Sequence, residues 1–293
     1  MIAGIFKSMR PQQWIKNFFI FAPLIFSRNI FNPPLVLKTV AAFAAFCFLS
    51  SAQYIINDLK DIEEDKLHPL KSKRPLASGQ LGKTPALIAA AILAAAAIAM
   101  AAGIGRGFLL ISLGYLFLQL AYSFWLKNVV ILDIFVVAAG FLIRVVAGGF
   151  AIRVSISSWL LICTILLALF LAMGKRRHEL VILEKDAVNH RPILKEYNVY
   201  LLDQMISVVT ASTLIAYCLY TISEETVRKF GTSELIYTVP FVLYGIFRYL
   251  YLIHQRIEGG TPEALIIRDR PLLLDIFLWI VAAVLILTLR SSR

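Results

Sequence analysis

The chain has 293 residues, of which 59% are hydrophobic and only 16% charged, with a mean hydropathy of +0.78 and a formal net charge of +11. So little polar surface cannot cover a soluble globule, and the composition predicts a polytopic membrane protein. The positive charge does not point to nucleic acid, because the basic residues sit in short loops between apolar runs, where they set topology and meet anionic lipid or phosphorylated substrates.

In chain order, Lys7, Arg10 and Lys16 lead into the first apolar run without a small-residue cleavage site, so that run is expected to stay as an anchor. Nine stretches of about spanning length follow: Trp14 to Phe31, Leu35 to Ile56, Thr84 to Gly103, Phe108 to Trp125, Val129 to Ile152, Ser157 to Met173, Leu201 to Ile222, Leu235 to Ile253 and Leu272 to Leu289. Turn signals agree with the breaks: Asn32-Pro33-Pro34, Gly103 to Gly107, Lys127-Asn128 and Gly259-Gly260. The expectation is an all-α membrane protein, one catalytic domain over 1–293, with nine transmembrane helices bundled around a cavity that opens to the cytoplasm. The Ala-rich third span permits close helix packing.

Lys and Arg assigned to the two sides divide unevenly, 19 on the side of the N-terminus and 8 on the other, which predicts a cytoplasmic N-terminus in a multi-pass inner (plasma) membrane protein. Two connections on the cytoplasmic side are long and chemically dense, Asp58 to Lys83 and Gly174 to Tyr200. Function is expected there. Cys47, Cys163 and Cys218 lie inside apolar runs with no paired spacing, and read as small core residues. His68, His178, His190 and His254 show no ligand spacing and read as solvated histidines.

The densest stretch is Asn57 to Arg74, NDLKDIEEDKLHPLKSKR, with five carboxylates and five basic side chains. If the preceding helix continues at about 100° per residue, Asp58, Asp61 and Asp65 fall within about 60° of one another, while Lys60, Glu63 and Glu64 point elsewhere. Three carboxylates on one face repel unless a divalent cation neutralises them, and hard oxygen ligands left partly open suit Mg²⁺ that also holds substrate phosphates. A solvated helix end of mixed charge is the plainer reading. Lys71, Lys73 and Arg74 follow; such a run taken alone is more often a solvated or lipid-facing patch, but beside an Asp face it suits phosphates on the metal.

GKRRHEL, Gly174 to Leu180, concentrates Lys175, Arg176 and Arg177 where the sixth span leaves the membrane, suiting either an anionic substrate or topology alone. Glu179 is a metal ligand or a partner for an Arg. Asp133 and Arg144 share one face of the fifth span, which either looks into a wet cavity or holds a buried Arg satisfied by carbonyls or a carboxylate. Arg248 and Asp275 invite the same argument. Tyr122 and Lys127 close the fourth span, as cytoplasmic-mouth groups or as interfacial anchors. Arg10, Gln13, Trp14 and Asn17 share one face of the first helix, an unusual number of polar groups for a span.

NDLKDIEED resembles the first Asp-rich signature of the UbiA superfamily of intramembrane prenyltransferases. RPQQWIKN (Arg10 to Asn17), AYSFWLKNVVILD (Ala121 to Asp133), AMGKRRHEL (Ala172 to Leu180), YGIFRYLYLIH (Tyr244 to His254) and RDRPLL (Arg268 to Leu273) are similar to its decaprenyl-phosphate phosphoribosyltransferase branch. One departure separates this chain from the aromatic prenyltransferases of the superfamily: where they carry a second Asp-rich motif after the sixth span, it has GKRRHEL and the scattered acids Glu179, Glu184 and Asp186. Basic groups there suit a second anionic substrate.

The resemblance implies a pentosyltransferase that moves 5-phosphoribose from 5-phosphoribosyl 1-diphosphate to a polyprenyl (decaprenyl) phosphate, for cell-envelope arabinan precursors. It implies Mg²⁺ on Asp58, Asp61 and Asp65, with Asn57 in support, and substrate contacts from Lys16, Lys73, Arg74, Tyr122, Lys127, Arg144, Lys175, Arg176, Arg177 and Glu179. Expected partners are the two anionic substrates and the membrane, with no nucleic acid; a homo-oligomer stays open. The alternatives are a UbiA-type aromatic prenyltransferase and, in another class, an anionic-lipid transporter, against which stands the lack of paired Gly/Pro-broken spans in the two halves.

Overall fold

A computed structural model describes residues 2–67, 71–183, 192–256, 265–266 and 268–289. Among them every regular element is helical. In chain order the helices are α1 (Ile2–Met9), α2 (Ala22–Phe26), α3 (Pro33–Lys60), α4 (Ile62–Leu67), α5 (Lys83–Ile104), α6 (Arg106–Phe124), α7 (Leu132–Ile152), α8 (Ser158–Leu183), α9 (Val199–Ile222), α10 (Glu224–Phe230), α11 (Val239–Gln255) and α12 (Arg270–Leu289), with 3₁₀ segments between some of them.

Among the described residues, eight helices are long and apolar enough to cross a membrane: α3, α5, α6, α7, α8, α9, α11 with its preceding 3₁₀ turn, and α12. The ninth expected span, Trp14 to Phe31, is not a long α-helix. An 11-residue 3₁₀ helix, Pro11–Phe21, runs into the five residues of α2. The winding has a packing reason. At three residues per turn Trp14, Asn17 and Ile20 line up on one edge, whereas in an α-helix they would splay by about 60° per step. That edge is the inward one: Trp14 donates to Ser51 Oγ at 3.0 Å, Asn17 reaches Cys47 and Ser50, and the Ile20 backbone passes so close to Gly148 that a Cβ there would lie 2.1 Å from the Ile20 carbonyl oxygen.

Contacts divide the described chain into two compact units. The first holds everything through α7. Its centre is α3, whose Ala42, Ala45, Phe46 and Leu49 pack with Phe108, Tyr115, Ala147 and Ala151. Lipid is as apolar as these side chains, so close contact rather than exclusion of water holds the helices together. Accordingly the four buried residues of α5 are Ala86, Ala90, Ala97 and Ala101, small enough to let α5 lie against α3. The turn from α5 to α6 is the single residue Gly105, whose φ of 151° a side chain would oppose.

The second unit holds α8 to α12. α8 does not stop at Met173 but carries GKRRHEL on to Leu183, so this motif is helix and not loop. Lys, Arg, Glu and Leu all favour helix. Tyr217 Oη bonds Thr238 and accepts from Trp279 Nε1 at 2.8 Å, tying α9 to α12. α12 is started by Asp269, whose Oδ1 accepts the Leu272 N–H at 2.9 Å, and it is tied to α11 by the Arg248–Asp269 pair at 2.7 Å.

Candidate functional site

α3 ends at Lys60 with Asp61 as its C-cap, and α4 restarts at once. The break does not turn the chain away, because Asp61 N–H donates to the Asn57 carbonyl and Asp65 N–H to the Asp61 carbonyl, continuing the helical ladder. The side chains of Asp58, Asp61 and Asp65 are therefore 2%, 14% and 4% exposed, while that of Glu63 is 78% exposed and occupied by Lys66 at 2.9 Å. That exposed Lys66 contact lowers the Glu63 carboxyl below its ordinary value, and Glu63 makes no approach to the aspartates.

Three cations face the three buried carboxylates. Arg74 Nη1 donates to Asp58 Oδ1 at 3.1 Å and to Asp65 Oδ2 at 2.6 Å, Lys127 Nζ to Asp61 Oδ1 at 2.8 Å, and Arg10 Nη2 to Asp58 Oδ1. Asn57 Nδ2 holds the other oxygen of Asp61 at 3.0 Å. Arg10 also lies over the Tyr54 ring, 5.0 Å from its centre. Lys60 turns away to the Ser123 and Phe124 carbonyls.

The three aspartates share a face as expected from spacing, although among the described residues no three His, Cys, Asp or Glu side chains are grouped closely enough to hold a metal by themselves. The donor chemistry nonetheless suits Mg²⁺ in its usual form. That ion takes one or two carboxylates and completes its shell with phosphate and water. Asp58 Oδ2 and Asp65 Oδ1 accept no hydrogen bond among the described residues, so each aspartate keeps a hard oxygen to spare.

The remaining candidates fall in several places. Lys73 is exposed, with its carbonyl accepting from Lys7 Nζ at 3.3 Å, and Lys16 and Tyr122 are half-buried on the 3₁₀ segment and the last turn of α6. Arg144 is 4% exposed, and its Nε, Nη1 and Nη2 donate to Asn17 Oδ1, the Gly140 carbonyl and Tyr115 Oη at 2.7, 2.7 and 2.8 Å. These contacts join the 3₁₀ segment to α6 and α7 and match the buried, protein-satisfied arginine that the sequence left open beside a substrate role. Asp133 is fully buried on the same helix.

In the second unit, Arg176 is buried and pairs with Glu179, which makes Glu179 an arginine partner. Arg177 pairs with Asp203 at 2.6 Å and donates to the Ile253 carbonyl at 3.1 Å; Lys175 is half-buried beside them in sequence. His254 sits on α11, with Nε2 3.3 Å from Asp203 Oδ1. Asp275 is buried under Gly245. Glu184, Asp186, His68, His190 and the Gly259-Gly260 turn lie outside the described residues.

Sequence reasoning missed Arg10 and Asp203 as site neighbours. Each meets its partner across a long separation, 48 positions for Arg10–Asp58 and 26 for Arg177–Asp203, so no local pattern marks it. The one available signal was the crowd of polar residues around Arg10 in an otherwise apolar run.

Helices of spanning length with buried, charge-balanced aspartates at a helix end define a polytopic membrane protein built to handle anionic groups at its surface. The model of the UbiA prenyltransferase family matches residues 18–281. The chain belongs to the UbiA prenyltransferase family. It is 32% identical over 291 residues to a decaprenyl-phosphate phosphoribosyltransferase of Mycolicibacterium smegmatis, covering 96% of this chain and 91% of that one. It is 33% identical over 296 residues to one of Corynebacterium glutamicum, covering 96% and 86%. Among solved structures it is similar to a UbiA homolog from Archaeoglobus fulgidus bound to GPP and Mg²⁺, with a TM-score of 0.74 at 20% identity over 97% of this chain and 99% of that one.

Proposed function

We propose that this protein is an integral-membrane pentosyltransferase that transfers 5-phosphoribose from 5-phosphoribosyl 1-diphosphate to a polyprenyl phosphate, releasing diphosphate. The observation that carries this reading is the match over 96% of the chain to relatives named for that transfer to decaprenyl phosphate. The whole chain, 1–293, acts as one catalytic domain, with the N-terminus and the Asp58–Asp65 stretch on the cytoplasmic side of the inner membrane, where the water-soluble donor is available.

Asp58 and Asp65, through their spare oxygens, and Asp61 with Asn57 behind it would hold Mg²⁺. The bound ion supplies charge neutralisation for the departing diphosphate. The chain's own residues do the rest. Arg10, Arg74 and Lys127 already stand at the carboxylates and turn toward phosphate oxygens when the donor enters, with Lys73 and Lys16 at the edge. Lys175, Arg176 and Arg177 bind the second phosphorylated substrate. An acceptor phosphate is an oxyanion near neutral pH, so it needs orientation more than a general base. Loss of diphosphate from the anomeric carbon leaves an oxocarbenium-like centre, which the acceptor oxygen attacks.

Purified protein given Mg²⁺, labelled phosphoribosyl diphosphate and polyprenyl phosphates of several lengths should form a lipid-extractable labelled product. No product from any length, together with product from an aromatic acid and a prenyl diphosphate, would replace this reading with aromatic prenyl transfer. Unmodified lipid moved across a vesicle would indicate transport.

A further inference from the structure

In the second unit α9 and α11 leave between them a groove of about 690 Å³. Its walls follow the helical repeat: Ser207, Thr210 and Ala211 of α9 face Leu243, Phe247 and Leu250 of α11, a small wall against a bulky apolar one. Both helices are of spanning length and hydropathy, so the groove runs at hydrocarbon depth, where a methylene chain fills it better than water.

The ionisable lining residues, Asp203 and His254, lie at one end, where α9 begins and α11 finishes, with Gln255 beside them. Asp203 is neutralised there by Arg177 at 2.6 Å, and Arg248 by Asp269 at 2.7 Å. Arg256 is the third arginine here, and its charge also reaches Asp269. It is exposed, makes no ion pair among the described residues, and lies 6.0 Å from the centre of the Tyr251 ring, which lines the groove. Arg248 flanks the same ring at 5.2 Å. Among the described residues, three arginines stand against two aspartates at this end, beside an apolar channel.

We propose that the α9–α11 groove binds one chain of an anionic bilayer phospholipid, whose phosphate is met by Arg256 and the Gln255 amide. A neutral headgroup adds nothing to the charge of these three arginines and two aspartates, whereas an anionic one brings them to balance.

Native mass spectrometry of the full chain in detergent, titrated with phosphatidylglycerol or phosphatidylcholine of equal chain length, reads this without donor, acceptor or turnover, so the result is independent of the transferase reading. One saturable phosphatidylglycerol site is expected, about fivefold or more tighter than for phosphatidylcholine, the preference falling to none in Arg256→Glu. Ala211→Phe, which fills the groove, should remove the site, and the smaller Ala211→Leu should weaken it if the Phe variant fails to fold. Equal affinity for the two lipids, or undiminished phosphatidylglycerol binding by folded Ala211→Leu, overturns the proposal. So does a dimer lost in the Ala211 variants, which would give the groove to a second copy, or displacement of phosphatidylglycerol by equimolar polyprenyl phosphate, which would give it to the acceptor.

Discussion

Arg74 Nη1 lies 2.6 Å from Asp65 Oδ2, and the same nitrogen reaches Asp58 Oδ1 at 3.1 Å. One guanidinium, from outside both helices, thereby holds the end of α3 and the middle of α4 together. Asp58→Ala or Asp61→Ala should abolish turnover, and raising Mg²⁺ should not restore it, because the lost contact matters most as charge develops on the leaving group. Glu63→Ala, on the exposed face of the same stretch, should leave the labelled-product assay unchanged; a loss equal to that of Asp61→Ala would defeat the assignment.

Arg10 separates phosphate binding from metal support. Its removal deletes one charge-assisted contact, worth about 1.5 to 3 kcal/mol, so Arg10→Ala should weaken donor binding roughly ten- to hundredfold. The increase should appear in KM before kcat. Arg176→Ala and Arg177→Ala should behave likewise toward the phosphorylated acceptor. An Arg10→Ala enzyme with unchanged KM and collapsed kcat would place Arg10 with the leaving-group machinery instead.

Arg144 should answer differently. Its guanidinium is buried against Asn17, Gly140 and Tyr115, so Asn17→Ala removes one of its partners and should cost about 1 to 3 kcal/mol of stability. Thermal denaturation in detergent would register this, while the KM values of the surviving enzyme stay unchanged. A normal melting profile with raised KM would return Arg144 to the substrate site.

Gly148→Ala tests the close approach of the 3₁₀ segment to α7. The new Cβ would stand 2.1 Å from the Ile20 carbonyl oxygen, a backbone atom that cannot rotate aside. Overpacking of this kind costs about 1 to 3 kcal/mol, and the rigid neighbour puts this site at the upper end. Gly174→Ala, whose Cβ would come no nearer than 3.1 Å to the Tyr249 ring, should melt at a higher temperature than Gly148→Ala.

Acid should loosen the α11–α12 connection. The hydrogen bond from Arg248, aided by the Leu272 N–H, holds the Asp269 carboxyl below its ordinary value against the opposing effect of burial. A depressed carboxylate contributes stability that is complete above its unfolded pKa, about 3.9, and is lost as pH falls through the lower folded value. Asp269→Asn should therefore melt lower than the parent at pH 7, and the gap should narrow as pH drops below about 4. A gap that stays constant down to pH 3 would mean the pair contributes packing and no charge.

Local chemistry in the sequence announced the membrane class, the breaks at Asn32-Pro33-Pro34 and Gly103 to Gly107, and the face shared by Asp58, Asp61 and Asp65. Hydropathy needs only a window of residues, and the aspartates need only the helical repeat, which the chain maintains across the Lys60–Ile62 junction through the Asp61 and Asp65 N–H bonds. The motifs around them were enough to suggest the family.

What the sequence could not decide were pairings between distant segments. Arg144 meets Asn17 across 127 positions and Lys127 meets Asp61 across 66. Nothing near Arg144 distinguishes a substrate ligand from a buried structural cation; only the arrival of the first segment against α7 does. The same packing chose a 3₁₀ winding for Pro11–Phe21, because three residues per turn place Trp14, Asn17 and Ile20 on one edge, and Gly148 leaves room for that edge to pass. Propensity and hydropathy are sums over neighbours in the chain, whereas a buried guanidinium is settled by acceptors brought from elsewhere in the fold, so its role was fixed only by tertiary structure.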